Sequence, residues 1–105
     1  MSHYEVLISD KALEDMNAIY DHIVEILLAP DTAARQYDRI SNAILSLEEY
    51  PERIRIMDTE PEHTKDLRQM TVDNFAIFFV INAGTIYITN VLYSASDISK
   101  RLSLE

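Results

Sequence analysis

Residues 67–93 contain three short apolar runs separated by two turn signals, and this pattern constrains the fold more than any other part of the chain. The turn signals are Asp73-Asn74 and Asn82-Ala83-Gly84, and Asp, Asn and Gly tolerate the backbone conformations that hairpin turns require. The runs between them are rich in β-branched and aromatic residues, which favour strands. Three such strands predict an antiparallel meander, whose apolar face must be covered by another part of the chain.

The first half of the chain predicts one strand followed by two amphipathic helices. Residues 4–9 form a short apolar run that is typical of a strand, and Asp10 is placed to cap the helix that follows. We expect Pro30 to end the first helix and Pro51 to end the second, because proline does not fit inside a helix. Polar residues of the first helix, Asp15 among them, should face solvent. The predicted buried stripes are Leu13, Met16, Tyr20, Ile23, Val24 and Leu27 in the first helix, and Ala33, Tyr37, Ile40, Ile44 and Leu47 in the second.

These elements predict a single α+β domain spanning residues 1–105. Two helices joined by a very short connection lie antiparallel, so the predicted order is strand, helix, helix, strand, strand, strand and tail. The helical hairpin should cover one mostly antiparallel sheet. Residues 52–64 lack periodicity and form the longest predicted loop, and residues 98–104 favour a final helical turn.

Composition excludes several classes of protein. The 105 residues include no cysteine, which rules out disulfides and thiolate sites and fits a reducing cytoplasm. The N-terminus lacks the pattern of a secretory signal, and the longest apolar run, Phe75 to Ile81, is too short to span a bilayer. We therefore expect a cytoplasmic protein that does not enter a membrane.

The charge of the chain is strongly negative and unevenly distributed. Of the net charge of −9, residues 1–50 carry −7 and residues 51–105 carry −2. Because phosphates are bound mainly by Lys and Arg, any contact with RNA or DNA would have to use the second half. The sequence contains no Gly-rich phosphate loop, no nucleophile elbow and no metal-ligand cluster, so neither a cofactor nor a metal is predicted.

Three stretches of the chain, taken in order, carry the features of a known family. Residues 44–51 form a leucine-rich helix end that is closed by an aromatic–proline pair. Residues 67–75 carry an arginine, aliphatic residues, two turn residues and an aromatic, and residues 88–94 with Asp97-Ile98 form a last strand and a short motif. In this order, and in a chain of this length, they resemble the RelE/ParE superfamily of bacterial toxins from type II toxin–antitoxin modules, the plasmid stabilisation systems.

The chain departs from that family at positions where many members carry basic residues. Ala76 follows the aromatic that opens the third strand, and Ala95 and Ser96 precede Asp97. Toxins of the family are typically basic, whereas this chain is acidic. The spacing around Arg68 is nearer the ParE branch, which is described as poisoning DNA gyrase, than the RelE branch, which cuts messenger RNA on the ribosome.

The ribonuclease chemistry of such toxins would depend on Arg68 and Tyr93. Cleavage of RNA by attack of the 2′-hydroxyl needs a base, an acid and cations that stabilise the charge on the phosphate. Arg68 would supply the cation, and Tyr93 would act as acid or base or stack on a nucleobase. The candidate residues for binding RNA or another target are Arg53, Arg55, His63 and Lys65. For all six, the alternative is a structural role as an ion-paired arginine, a packed aromatic or a solvated loop side chain.

Two functions of different classes are open at this point. The first is a ribosome-dependent endoribonuclease that uses Arg68 and Tyr93. The second is a toxin that binds a protein target such as gyrase, or a relative that only binds an antitoxin, and neither of these needs catalytic residues. The resemblance implies a cognate antitoxin whose extended segment wraps the toxin. Because the chain is acidic, we expect a segment that is less acidic than usual or basic, and a free toxin that forms a homodimer or has limited solubility.

Overall fold

The computed structural model describes residues 3–95, Ile98 and Leu102. It contains strand β1 (Glu5–Ile8), helices α1 (Asp10–Glu25) and α2 (Pro30–Leu45), and strands β2 (Arg68–Val72), β3 (Phe75–Asn82) and β4 (Thr85–Tyr93). Two short 3-10 turns, Ser46–Glu48 and Pro51–Arg53, follow α2. The predicted order of one strand, two helices and three strands is confirmed. The predicted helical turn at residues 98–104 falls largely outside the described residues.

The four strands form one sheet in the order β1-β4-β3-β2. Strands β2, β3 and β4 are antiparallel neighbours, and β1 runs parallel to β4, with Glu5 opposite Thr85. The turns of the meander use left-handed backbone, with φ of 55° at Asp73, 51° at Ala83 and 83° at Gly84. Positive φ at both central residues of the β3–β4 turn matches the twist of the flanking strands. The meander and its turn chemistry are as predicted.

The boundaries of both helices differ from the predicted ones. Helix α2 ends at Leu45, and Pro51, which is predicted to end it, instead begins the second 3-10 turn. Ser9, and not Asp10, caps α1, because its hydroxyl oxygen accepts a hydrogen bond from the Ala12 backbone N–H at 3.0 Å. Helix α1 ends before Leu28, whose φ of 54° turns the chain. Pro30 therefore begins α2 instead of ending α1, since its fixed φ and missing N–H suit the first turn of a helix.

The main core lies between the helices and one face of the sheet. The predicted stripe of α2 is buried there at Ala33, Ile40, Ile44 and Leu47, and Tyr37 is half-buried. From the sheet, the core receives Ile77, Phe79, Ile86, Ile88 and Val91. The two helices also meet through an edge-to-face contact of the Tyr20 and Tyr37 rings, whose centroids are 6.1 Å apart.

The predicted stripe of α1 is wrong at three positions. Leu13, Tyr20 and Leu27 are exposed, and only Met16 and Ile23 of that stripe are buried, while Val24 is half-buried. Ala12 and Asp15 are buried instead, so the helix is rotated by about one residue relative to the prediction. Leu27 lies beyond the end of the helix, where helical spacing no longer applies.

The opposite face of the sheet is covered by residues from the segment between α2 and β2 and from the tail after β4. A second apolar cluster joins Ala76, Phe78 and Leu92 of the sheet to Leu67 and Leu102, with Met57, Val80 and Ile98 packed against them. Strand β3 is thus buried on both faces, which explains its nearly continuous apolar sequence. Glu62 of the covering segment is also buried, and its Oε1 accepts a hydrogen bond from the Thr59 hydroxyl at 2.5 Å.

We predict that Ile44→Ala lowers the free energy of unfolding by roughly 2–4 kcal/mol, because it leaves a cavity in the main core. Leu45→Ala is the matched control, since Leu45 is the next residue of the same helix but is largely exposed. Its effect should stay below about 1 kcal/mol. Urea unfolding followed by circular dichroism measures both values, and equal losses would contradict this assignment of the buried face of α2.

Candidate functional site

Strand β4 contains one extra residue relative to β3, and this β-bulge shapes the end of the sheet. Thr89 is the extra residue, because the residues on either side of it pair with the consecutive residues Phe78 and Phe79. Side chains normally alternate between the faces of a sheet, and one inserted residue shifts that alternation. Ile88 and Val91 therefore both lie in the main core although they are three positions apart.

Asp15 joins helix α1 to the bulged strand. Its Oδ2 accepts a hydrogen bond from the backbone N–H of Val91 at 3.0 Å, and its carboxylate also forms an ion pair with Lys11. The carboxylate is only 6% exposed. A buried backbone N–H without a partner costs free energy, and Asp15 supplies its acceptor from the helix. This contact explains why a residue predicted to face solvent lies against the sheet.

A groove of about 700 Å³ opens beside this contact, between the two helices and one end of the sheet. Helix α1 and the connection after it contribute Asp15, Ala18, Ile19, His22, Ile23 and Leu27. The remaining walls are Thr32 and Gln36 of α2, and Asn74, Phe75, Val91, Leu92 and Tyr93 of the sheet end. A concave surface with mostly apolar walls and a few polar groups is a candidate binding site.

The connection between the helices continues the apolar surface of this groove. Ile26, Leu27 and Leu28, which we call the hairpin tip, are 67%, 60% and 79% exposed. Leu27 also lines the groove. Adjacent large aliphatic side chains in solvent mark a contact surface for another molecule more often than isolated ones do.

An ion pair holds the α2 side of the groove against the β2–β3 turn. The carboxylate of Asp73 accepts hydrogen bonds from Arg39 at 2.7 and 2.9 Å and from the Gln36 amide at 3.0 Å. These bonds, above all those from Arg39, lower the pKa of Asp73, and the carboxylate raises the pKa of Arg39 in return. The charge of Arg39 is therefore already balanced within the chain.

Arg68 lies at the other end of the sheet, in a local polar network. Its guanidinium donates a hydrogen bond to the carbonyl oxygen of Ile54 at 2.5 Å. Close by, the Tyr4 hydroxyl donates to Glu52, and this hydrogen bond is the main cause of the lowered pKa of Glu52. The positive charge of Arg68 lowers that pKa further. Arg68 thus connects the segment after α2 to the edge strand β2.

The two predicted catalytic residues are not brought together. Arg68 lies opposite Phe79 in β3, whereas Tyr93 lies opposite Phe75. Four positions along the strands, at about 3.3 Å each, and two interstrand spacings of about 4.8 Å place their Cα atoms roughly 16 Å apart. Tyr93 borders the groove, and Arg68 lies at the opposite end of the sheet.

The other predicted binding residues lie on the segment after α2, and none of them lines the groove. Arg53 donates to two backbone carbonyls beside the 3-10 turns, at 2.8 and 3.0 Å. Arg55 forms an ion pair with Asp58. A ring N–H of His63 donates to a backbone carbonyl at 2.9 Å, and Lys65 is exposed. Arg53, Arg55 and His63 therefore have partners inside the chain.

The sequence interpretation missed Asp15 and the groove. One signal was available in the Lys11 and Asp15 pair, whose spacing of four residues favours an ion pair on a helix. A second was Thr89-Asn90, two polar residues that interrupt an otherwise apolar strand and coincide with the bulge. Neither signal alone indicates that the carboxylate meets the strand, because that contact joins residues 76 positions apart.

The part of the chain that the structure describes contains neither a metal-binding cluster nor a membrane-spanning helix. Within residues 3–95, Ile98 and Leu102, no group of three or more His, Asp or Glu side chains is placed to hold a metal ion. No helix in that described part of the chain is long and apolar enough to cross a membrane.

We predict that Asp15→Ala lowers the free energy of unfolding by about 1–3 kcal/mol, because the Val91 N–H is left buried without an acceptor. Asp21→Ala is the control, since it removes an exposed carboxylate from the same helix and should change stability by less than about 0.5 kcal/mol. Hydrogen exchange should also become faster at the Val91 amide in Asp15→Ala alone. Unchanged protection of that amide would count against the proposed role of Asp15.

A second prediction concerns the pH dependence of the Arg39 and Asp73 pair. Because the pKa of Asp73 is lowered in the folded state, the pair stabilises the fold above the ordinary pKa of aspartate and loses this effect as pH falls through the lowered value. Wild type should therefore melt at a higher temperature than Arg39→Ala at about pH 7, and the difference should disappear near pH ~2. A difference that persists undiminished in acid would show that the carboxylate is not its source.

Comparisons with known proteins identify the family. A family model described as the ParE toxin of type II toxin–antitoxin system, parDE, matches residues 6–98. The structure of the chromosomal ParDE TA system from P. aeruginosa is similar, with a TM-score of 0.72 and 23% identity, covering 87% of this chain and 96% of that one. The toxin–antitoxin complex RelBE2 from Mycobacterium tuberculosis has a TM-score of 0.61 and 17% identity, covering 91% and 97%. A search of curated proteins finds no match. The two structures share the fold, and because the family model spans most of the sequence, the chain belongs to the ParE toxins of type II toxin–antitoxin systems.

Proposed function

We propose that this toxin inhibits DNA gyrase by binding to it and that a cognate antitoxin neutralises it. The observation that carries the proposal is the separation of Arg68 and Tyr93 across the sheet. A ribosome-dependent endoribonuclease would need both side chains at one phosphate. Inhibition through protein contact, which the resemblance to the ParE branch implies, needs no such arrangement.

The positive side chains favour a protein target over RNA. Arg68 already donates to the Ile54 carbonyl, and Arg55 is paired with Asp58. Binding of nucleic acid depends on Lys and Arg side chains that can neutralise phosphates, and this chain has a net charge of −9. An RNA substrate would have to compete with the contacts that these arginines make within the chain, whereas a protein target would not.

The hairpin tip offers a surface that a protein target can bury. Its three aliphatic side chains are mostly in solvent, and Leu28 is held in an uncommon left-handed conformation that turns the chain. Removal of apolar surface from water stabilises a complex by roughly 25 cal/mol per Å². The tip is therefore a part of the described surface where contact with gyrase would remove apolar side chains from water.

An antitoxin that covers the same surface would prevent contact with the target. The two similar structures come from toxin–antitoxin systems, which supports an antitoxin partner for this chain. In the absence of that partner, exposed aliphatic side chains favour self-association, so the free toxin should form a homodimer or have limited solubility. Toxin, antitoxin and gyrase would then meet in the bacterial cytoplasm.

We predict that the purified toxin inhibits supercoiling by gyrase and that Leu28→Asp abolishes the inhibition. A carboxylate at the tip would have to be desolvated in the complex, which is costly without a positive partner. Arg68→Gln is the control, because it removes the charge at the end of the sheet away from the tip while keeping a polar side chain, and it should inhibit as wild type does. A supercoiling assay measures all three proteins, with their melting temperatures as the check on folding.

The alternative function is tested with the same proteins in a separate assay of messenger RNA cleavage. If messenger RNA is cut in a translation-dependent manner, and Arg68→Gln reduces the cutting by about a hundredfold or more, the toxin is a ribonuclease and the gyrase proposal is wrong. Wild-type protein that neither inhibits supercoiling nor cuts RNA would indicate a relative that only binds its antitoxin.

A further inference from the structure

We propose that the groove binds a basic amphipathic helix of the antitoxin and that a row of carboxylates on α1 selects its charge. This inference rests on the proposed antitoxin partner and specifies the chemistry of the segment that it must present. The carboxylates are those of Glu14, Asp21 and Glu25, which we call the acidic flank. All three side chains are exposed.

The acidic flank borders the groove directly because of the helical repeat. Glu14, Ala18, Asp21 and Glu25 follow the spacing i, i+4, i+7 and i+11, which places them in one line along the surface of a helix. Ala18 is also a wall of the groove. Its small side chain allows a partner to approach α1 closely at the centre of this line.

The length of the groove fits a short helix. Its wall on α1 extends from Asp15 to Ile23, and at about 1.5 Å per residue this corresponds to roughly 12 Å, or about two turns of a partner helix. Ile19 and Ile23 line that wall, and Phe75 and Val91 lie across from them. Such a surface accepts the apolar face of an amphipathic helix with anchors at i, i+3 or i+4, and i+7.

The charges around the groove distinguish its two sides. Among the described residues, none of the three carboxylates of the acidic flank takes part in an ion pair. On the α2 side, Arg39 is balanced by Asp73, and Arg35 donates to the Thr32 hydroxyl at 3.3 Å. Lys or Arg residues on the side of a bound helix that faces α1 would therefore attract it to the toxin. The same residues on the side that faces α2 would add little to the affinity.

This asymmetry gives the groove a means of choosing partners. A helix with the same apolar anchors but acidic residues toward Glu14, Asp21 and Glu25 would be repelled, since like charges brought together in an interface reduce affinity. The overall charge of −9 extends the same preference to the approach of the partner, because it attracts basic segments over longer distances. The toxin would thus discriminate against acidic antitoxin segments.

The test uses the antitoxin candidate itself, which is the protein encoded by the reading frame next to the toxin gene. Its affinity for wild type is compared with that for Asp21→Asn/Glu25→Gln, which neutralises two charges of the acidic flank. Glu48→Gln/Glu49→Gln is the matched control, because it removes two exposed carboxylates from the segment after α2, away from the groove. Ala18→Tyr blocks the groove sterically at an exposed position that the fold does not depend on.

We expect the flank variant to bind roughly fivefold to tenfold more weakly at low salt, and this difference to shrink at about 0.5 M NaCl, where exposed charge pairs are screened. The control should bind within about twofold of wild type, as expected of charges outside the interface. Ala18→Tyr should weaken binding at both salt concentrations, since a steric block is not screened. A photo-crosslinker at position 18 should capture a segment that carries Lys or Arg beside its apolar anchors.

The results separate this inference from the proposed function. If the neighbouring protein binds wild type tightly but Ala18→Tyr and the flank variant bind equally well, the groove assignment is overturned and the antitoxin remains. An acidic or uncharged segment captured at position 18 would overturn the charge selection alone. If the neighbouring protein fails to bind wild type at micromolar concentration, the antitoxin assignment falls, and the groove proposal falls with it.

Discussion

The hydrogen bond from the Val91 N–H to the buried carboxylate of Asp15 determines how helix α1 lies on the sheet. Strand β1 pairs with β4 only as far as Ile88, so beyond the bulge at Thr89 this N–H finds its acceptor on the helix. Once Asp15 is turned toward the strand, the rotation of the helix is set, so that Ala12 and Met16 are buried and Leu13 is not. One polar contact therefore decides which residues of α1 form the core, which line the groove and which carry charge in solvent.

The strands and α2 could be predicted because local chemistry and tertiary packing agree there. The turn at Ala83-Gly84 needs residues that tolerate positive φ. Helix α2 has a single apolar face, which includes Ile40 and Ile44, and that face is the one that is buried. In α1, local chemistry and tertiary packing disagree. Ala12 is buried, and Asp15 accepts a hydrogen bond from the backbone of Val91, a residue far along the chain. Hydrophobic periodicity ranks leucine and tyrosine above alanine and aspartate, so it placed the buried stripe of this helix about one residue away from its true position.

The candidate site was harder to predict for a geometric reason. Arg68 and Tyr93 both lie at ends of strands, and a sequence does not show which strand ends are adjacent until direction and register are known. In an antiparallel meander, the start of β2 and the end of β4 fall at opposite ends of the sheet. The chain thus has a polar, arginine-containing end and an apolar, grooved end, and our proposals place binding of the antitoxin at the latter.

The segment between α2 and β2, which packs on the second face of the sheet through Met57 and Leu67, has a consequence for how long the toxin would survive in a cell. It buries Glu62, which is 1% exposed and whose Oε2 has no hydrogen-bond partner among the described residues. A buried carboxylate that is only partly satisfied weakens the attachment of the segment that carries it. Local opening there would expose backbone to proteases without unfolding the main core, and hydrogen exchange would detect it as amides of residues 57–67 that exchange faster than those of β3. The lifetime of the toxin would then follow the opening of this cover rather than the stability of the whole domain.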